Sequence, residues 1–466
     1  MLGLNFGKSA EYPAPEAMIP RRHVFLPALL GLLLTIGCGQ WQRVGSDTAP
    51  DPNLVVPRLF DPTPIYREMG LFAQSAPVGF VAATRFLPGP TSDSTLVVFG
   101  LSMANNALSF RREGEGFEAA YRVEVLFQRG GRVVRRIVSD ETVRVGGFRE
   151  TLRADESIIF QQFVTVPPDS YRVEVSLRDA YAGTASRDLR PVVVPRFGPG
   201  AVGVVPLYHL EQPRSSLDAM PMLVANPRSA IPYGLDSLRL LVEALPPTRT
   251  IRIALRTPDH EIVHEAAGAL GAGTPASAVV AIAPDDLPVG ELDVLVIAGT
   301  DTTRLPVLVS FSDQWAITNF EEVLSLLRYF GTDRMVSDMR AAEPEARPQL
   351  WRDFWAATDP NPLTPENEAL EGYFQRVQEA NRRYQEAGDP GWLTDRGEVF
   401  IVLGEPDEVF DLSSDFQSNR RVIRWGFVGE RLNLDFVDDN GFGRFRLTAD
   451  SRAEFQRAVQ RLRRHN

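Results

Sequence analysis

Between Gly391 and Phe410 the chain reads GWLTDRGEVFIVLGEPDEVF. Asp395, Glu398, Asp407 and Glu408 all fall in this one stretch, and two carboxyl groups flanking a bond are what glycan cleavage uses, one as acid and one as base or nucleophile. Their sequence spacing specifies no such separation, however, and carboxylates in turns commonly cap backbone amides. Histidine chemistry is remote from the stretch: none of the five histidines lies between His264 and His465. That removes Ser-His-Asp and His-ligated zinc arrangements from the region. His260 and His264, in DHEIVHE, sit around an expected hairpin, and solvated polar turn residues outweigh a metal pair there. Gly404 lacks the second glycine and the lysine of a phosphate-cradling loop. Asp438-Asp439-Asn440-Gly441 lacks the spaced ligands and distal glutamate of a calcium loop. No catalytic residue, metal ligand or cofactor is assigned on these grounds.

The more economical reading of the stretch is a structural corner that also presents a ligand or partner face, built from Gly391, Trp392, Thr394, Asp395, Arg396, Gly404, Pro406 and Asp407. Asp395-Arg396-Gly397 reads as a tight turn feeding a strand from Val399 to Leu403. Gly404-Glu405-Pro406-Asp407 reads as a second turn. Trp392 is expected to plug the core beneath this hairpin, Thr394 and Asp395 to cap backbone amides, and Arg396 to pair with a carboxylate. Further strands are expected at 422–427, 432–437 and 442–447, the last after the Asp438–Gly441 turn. Ser451-Arg452-Ala453-Glu454 fits a capping box for a final helix.

Upstream, the apolar period is helical. Trp315, Phe320, Val323, Leu324, Leu327 and Phe330 recur at helical spacing up to Gly331. Leu350, Trp351, Phe354 and Trp355 mark a second helix. A third opens at Thr364-Pro365, with Leu370, Tyr373, Phe374, Val377, Ala380 and Tyr384 as its stripe and Gly388 as its stop. FWAATDPNPLTPENEALEGYFQRVQEANRRYQ, GWLTDRGEVFIVLGEPDEV and LDFVDDNGFGRFRL together resemble, in order and spacing, the bacterial GWxTD domain. The motif is intact from Gly391 to Asp395, and the resemblance runs from about Trp315 to Leu462. It implies an exported or lipid-anchored bacterial protein and brings no established activity with it.

The preceding chain reads as β. TLVVFG, YRVEVLFQ, GRVVRRIVSD, SIIFQQFVTV and YRVEVSLRD alternate apolar and polar residues between turn signals, the pattern of an immunoglobulin-like sandwich over 79–196. After the Pro191–Gly200 joint, DSLRLLVEAL, TIRIALRT, AVVAIAP and GELDVLVIAGT suggest a second sandwich over 197–312. The fold class expected is therefore multidomain: two immunoglobulin-like β-sandwiches followed by an α+β GWxTD domain over 313–466. A chain of 466 residues exceeds what one core holds.

The formal charge of −11 argues against a nucleic-acid binder, which needs a basic face. Lys8 is the only lysine, a bias that carries no functional inference. MIPRRHVFLPALLGLLLTIGCGQ, from Met18, has the charged n-region and short apolar h-region of a secretory signal, and Met18 is the expected start. The apolar run is too short to span a bilayer. The only cysteine, Cys38, ends that run, so neither an internal disulfide nor a cysteine cluster can form. Leu34-Thr35-Ile36-Gly37-Cys38 resembles a lipobox, which makes residues 1–37 a signal peptide, Cys38 the lipidated residue and 38–78 a tether. Gly39 and Gln40 point to outer-membrane sorting. The expected protein is a lipid-anchored envelope protein that binds or scaffolds a protein or glycan partner, without nucleic acid. The rival is an envelope enzyme acting on glycan or peptidoglycan through the carboxylates above.

Overall fold

A computed structural model describes residues 61–154, 158–312, 317–364, 367–386, 388–413 and 420–465. The signal, Cys38 and residues 38–60 of the expected tether lie outside them; residues 61–78 are not tether but fold as a short helix and the first strand of the first sandwich, with Tyr66, Leu71, Phe72 and Val78 buried. Nine strands build the first sandwich. One sheet orders β1 (Phe72–Gln74), β2 (Phe80–Pro88), β3 (Thr95–Met103) and β7 (Ile158–Val166). The other orders β4 (Arg111–Glu113), β5 (Gly116–Arg129), β8 (Asp169–Asp179) and β9 (Ala185–Val194), with β6 (Arg132–Val145) paired to β5. Alternation decides the inner face: Tyr121, Val123, Val125 and Phe127 of β5 and Val173, Val175 and Leu177 of β8 meet Val97, Phe99 and Leu101 of β3. The Pro167–Tyr171 turn enters β8 as the sequence suggests, and the Tyr171 hydroxyl donates back to Pro167 O at 2.9 Å.

The second sandwich pairs the sheet β11 (Met222–Ala225), β10 (Val202–Gln212), β13 (Leu238–Ala244), β16 (Ala276–Ile282) with the sheet β12 (Ala230–Pro232), β18 (Asp301–Ser310), β17 (Gly290–Ala298), β14 (Thr250–Arg256), β15 (Ile262–Ala269). Leu240 and Val242 face Ile253, Leu255, Val294 and Val307 across its core.

The two sandwiches are joined by a second buried layer. The outer faces of β2 and β3 put Leu87, Leu96 and Val98 against Val205, Leu207, Leu223 and Leu241. Consequently β3 is buried on both faces, at every residue. At Gly203 of β10 the backbones nearly touch, since a Cβ there would lie 2.5 Å from Phe86 O. Within this layer Arg214 and Glu243 form an ion pair whose side chains are 0% exposed. Arg214 Nε lies 3.2 Å from Glu243 Oε1, and its Nη2 donates to Pro88 O at 2.9 Å.

The C-terminal α+β region packs helices against a four-stranded antiparallel sheet, β19 (Glu408–Asp411), β20 (Arg421–Phe427), β21 (Leu432–Asp438) and β22 (Arg446–Leu447). One short helix, α1 (Thr63–Glu68), precedes β1, and α2 (Phe148–Thr151) follows β6. The C-terminal helices are α3 (Phe320–Leu326), α4 (Asp333–Ala341), α5 (Arg347–Thr358), α6 (Glu368–Arg383), α7 (Asp395–Leu403) and α8 (Ala449–His465). The region shares one continuous core with the second sandwich: Tyr233 and Phe311 from the sandwich meet Phe320 and Trp351 from the helices. Burying a side chain the size of Phe311 stabilises by about 1.5–3 kcal/mol relative to exposure.

Several local expectations are corrected. The segment 395–403 is helix α7, not a turn followed by a strand. A short apolar run such as VFIVL has no period that separates helix from strand, and the cap at Thr394 with burial on α6 settles it. Helix α6 starts later than Thr364-Pro365: Asn367 caps it, accepting from Leu370 N–H at 2.9 Å, whereas the Thr364 hydroxyl donates to Asn361 O at 2.8 Å. The stripe of α6 is buried as expected, and the helix ends at Arg383, before Gly388. Helix α3 begins at Phe320, with Asn319 accepting from the Glu321 and Glu322 amides; Trp315 lies outside the described residues. Thr448, not Ser451, caps α8, accepting from Ser451 N–H at 3.2 Å. The 442–447 strand shrinks to Arg446–Leu447, because the loop before it is tied to Asp438, whose carboxylate accepts from the Asn440, Gly441 and Gly443 amides.

Candidate functional site

Gly391–Leu393 forms a single 3-10 turn wedged between the end of α6 and the start of α7. Two glycines make the wedge fit. A Cβ on Gly391 would stand 2.2 Å from Ala380 O, and one on Gly397 would stand 1.8 Å from Gly391 O. Gly391 N–H donates to Asn381 Oδ1 at 3.1 Å, which fixes the turn to α6. Thr394 is buried and caps α7: its Oγ1 accepts from Gly397 N–H at 3.1 Å, and its hydroxyl faces Gly391 O at 2.8 Å and Tyr384 O at 3.1 Å. Three short links through one hydroxyl explain why a threonine suits this position.

Trp392 is in the core, as expected, although what covers it is helical rather than a hairpin. Its ring lies 4.8 Å from the Arg328 guanidinium carbon, and its indole N–H is buried without a hydrogen-bond partner.

Asp395 does satisfy a backbone amide, but a distant one: its Oδ2 accepts from Leu447 N–H at 2.7 Å and pairs with Arg452 Nη2 at 2.6 Å. The same guanidinium reaches Glu398 Oε2 through Nη1 at 2.8 Å. Burial alone would pull the Arg452 pKa down; the hydrogen bonds to Asp395 and Glu398 outweigh it and raise it. Arg396 meets its carboxylate in Glu386, at 2.8 Å, and stacks over the Phe445 ring at 4.3 Å.

Glu386, which the sequence reading passed over, is the innermost acid of the cluster, with a fully buried side chain. It accepts from Arg396 Nε and, through Oε2, from Phe445 N–H at 3.0 Å. Burial pushes its carboxyl up, against the pull of Arg396. Asp389 pairs with Arg444 at 2.5 Å and lies 3.4 Å from Arg446. The result is a clasp of four acids and four arginines that holds β22 and α8 onto the motif turn. Glu386 and Arg452 carried no sequence signal, since each takes its meaning from a partner across the fold.

The remaining motif residues do not join this cluster. Gly404 follows α7 with φ +83°, a conformation that suits glycine. Pro406 leads into β19, and Asp407 accepts from Val428 N–H at 2.6 Å, holding the next turn. Glu408 is exposed on β19. His260 occupies a turn at φ +67°, and His264 lies on β15, 3.7 Å from Asp286. Among the described residues no group of three or more histidines, cysteines, aspartates and glutamates is placed to hold a metal.

Residues 295–432 match the family model of the GWxTD domain. The match begins inside β17, earlier than the sequence reading placed the domain, in keeping with the core that the last sandwich strands share with the helices. No curated protein matches this chain. Among solved structures, the fibronectin(III)-like modules of Clostridium thermocellum CbhA align over 49% of this chain and 94% of theirs. Their identity is 11% and the TM-score 0.14, too low to speak for a common fold. With the Gly391–Asp395 motif intact inside the matched region, residues 295–432 of this chain carry a GWxTD domain.

Proposed function

We propose that this protein is a lipid-anchored component of the bacterial cell envelope, an outer-membrane lipoprotein held through Cys38, with a non-catalytic role in binding or scaffolding a protein or glycan partner. The single observation that supports the non-catalytic part is the engagement of the motif carboxylates. Asp395 and Glu398 share one guanidinium, and Asp395 also takes a buried backbone amide. A general acid or base has to exchange its proton with a substrate, and groups committed in this way hold the fold instead.

The test compares Asp395→Ala and Asp395→Asn in the full chain. Alanine leaves Leu447 N–H buried and unpaired and should cost about 1–3 kcal/mol. Asparagine keeps an acceptor for that amide and should cost less, with function in cells following stability in both. If both variants keep wild-type stability in urea titrations yet lose function in cells, or if purified protein cleaves peptidoglycan and Asp395→Asn abolishes it, the enzyme reading replaces this one.

The anchor rests on the lipobox-like sequence ending in the sole cysteine. No helix of the described residues is long and apolar enough to cross a membrane. Two or more acyl chains at about 0.8 kcal/mol per buried methylene hold a protein at a bilayer without measurable release. Cys38→Ser should therefore move the protein from the membrane fraction to the soluble one. Retention of the variant in membranes after a high-salt wash would count against lipidation.

A further inference from the structure

The longest free strand edge among the described residues belongs to β6. This 14-residue strand pairs with β5 on one side and with no other described strand on its second side. Such an edge offers a row of backbone donors and acceptors for another strand. It also carries apolar side chains that the fold leaves in solvent, Val133 at 54% and Val138 at 38% exposure.

Charge on an edge ordinarily keeps other strands away, and one sign is enough for that purpose. Here the signs are divided. Arg135 and Arg136 stand before Val138, and Asp140 and Glu141 stand after it. In a parallel pairing of two copies, arginine would face arginine and acid would face acid. In an antiparallel pairing centred on Val138, Arg135 faces Glu141 and Arg136 faces Asp140, each twice, while Val138 meets its own copy; towards the strand ends the same register sets Arg132 against Arg144, whose charge Glu118 already pairs at 2.8 Å. A shift of two residues in either direction loses these matches. The faces agree as well. Opposed residues in an antiparallel pair share a face, and β6 alternates, with Ile137 against the core and Arg136, Val138 and Asp140 on the outer surface.

The same side chains already make contacts within their own chain. Arg136 pairs with Glu124 at 2.7 Å and Asp140 with Arg122 at 3.1 Å, across the neighbouring strand. Arg135 donates to Thr165 O at 3.0 Å and Ser139 to Glu141 at 2.5 Å. These are partly or wholly exposed contacts, and a second copy extends them into a ladder rather than displacing a buried network.

We propose that β6 is a self-association edge: two copies join antiparallel about a twofold axis at Val138 and make one continuous sheet from two first sandwiches. Both copies use the same patch, so the contact closes on itself as a dimer.

The experiment uses the full chain in a Cys38→Ser background, in mild detergent, as two differently tagged copies. Wild-type β6 should co-purify with itself. Arg135→Glu with Arg136→Glu places acids opposite acids, and Asp140→Arg with Glu141→Arg places arginines opposite arginines, so each double variant should lose co-purification with its own kind. Mixing the two variants restores opposite charges at all four positions and should recover the pair. A Val138→Cys chain, with its other charges untouched, should cross-link to a dimer on oxidation, whereas Met220→Cys on a distant exposed loop should not. Self-association of both charge variants would overturn the proposal, as would failure of the mixture to pair or the absence of a Val138→Cys dimer.

Discussion

Trp392→Ala in the full chain is expected to cost about 3–5 kcal/mol, through lost burial and the cavity left behind. The site has little freedom to collapse. The 3-10 turn carrying Trp392 is pinned on one side by Gly391 against Ala380 and on the other by Gly397 against Gly391 O, with Thr394 bonded across both. The loss should be global, because Trp392 belongs to the core that the C-terminal region shares with the second sandwich. Trp392→Phe is the informative companion. It keeps most of the apolar volume and removes an indole N–H that has no partner, so its cost should be well below that of alanine. Urea unfolding followed by circular dichroism measures both variants. A loss below about 1 kcal/mol for Trp392→Ala would show that the motif tryptophan is not a core residue in solution.

Arg214→Ala should be comparably damaging, at about 3–5 kcal/mol, because it leaves Glu243 charged and unpaired between the two sandwiches. Glu243→Ala should behave alike, stranding the guanidinium. Replacing both, as Arg214→Met with Glu243→Leu, should cost much less than the sum of the single changes, since no buried charge remains. It is not expected to be neutral, because Pro88 O loses the Arg214 donor. A double-mutant cycle by urea titration gives the coupling between the two positions. Losses that simply add would mean that the pair is solvated in solution rather than buried.

The two predictions differ in what the sequence disclosed about them. Trp392 stands in a motif whose spacing is visible by inspection, and its place in the core was legible. So were strands β3, β5 to β8, β13, β14, β16 and β17, because an antiparallel strand with one buried face writes its orientation directly as alternation, as Tyr121 to Phe127 and Tyr171 to Leu177 do, whereas β1, β2, β4, β9 to β12 and β18 were not read as strands. The α6 stripe from Leu370 to Ala380 was equally plain, since a helix with one buried side repeats every three to four residues.

Tertiary structure decided what local pattern leaves open. Residues 399–403 could have been strand or helix, and the cap at Thr394 with the surface of α6 made them helix. The TLVVFG run looked like one more half-buried strand, and only the docking of the second sandwich buried its other face. Asp395 was legible as a residue that satisfies a backbone amide, but the amide is that of Leu447, 52 positions away, and the counter-charge is Arg452. Glu386 and Arg214 were silent, because a glutamate or arginine buried opposite its partner has the same letter as one in solvent. Periodicity reports which side of an element is buried, which is a local property of the chain. Which charge meets which, and whether a second face is covered, depends on segments far apart in sequence and is determined only when they pack.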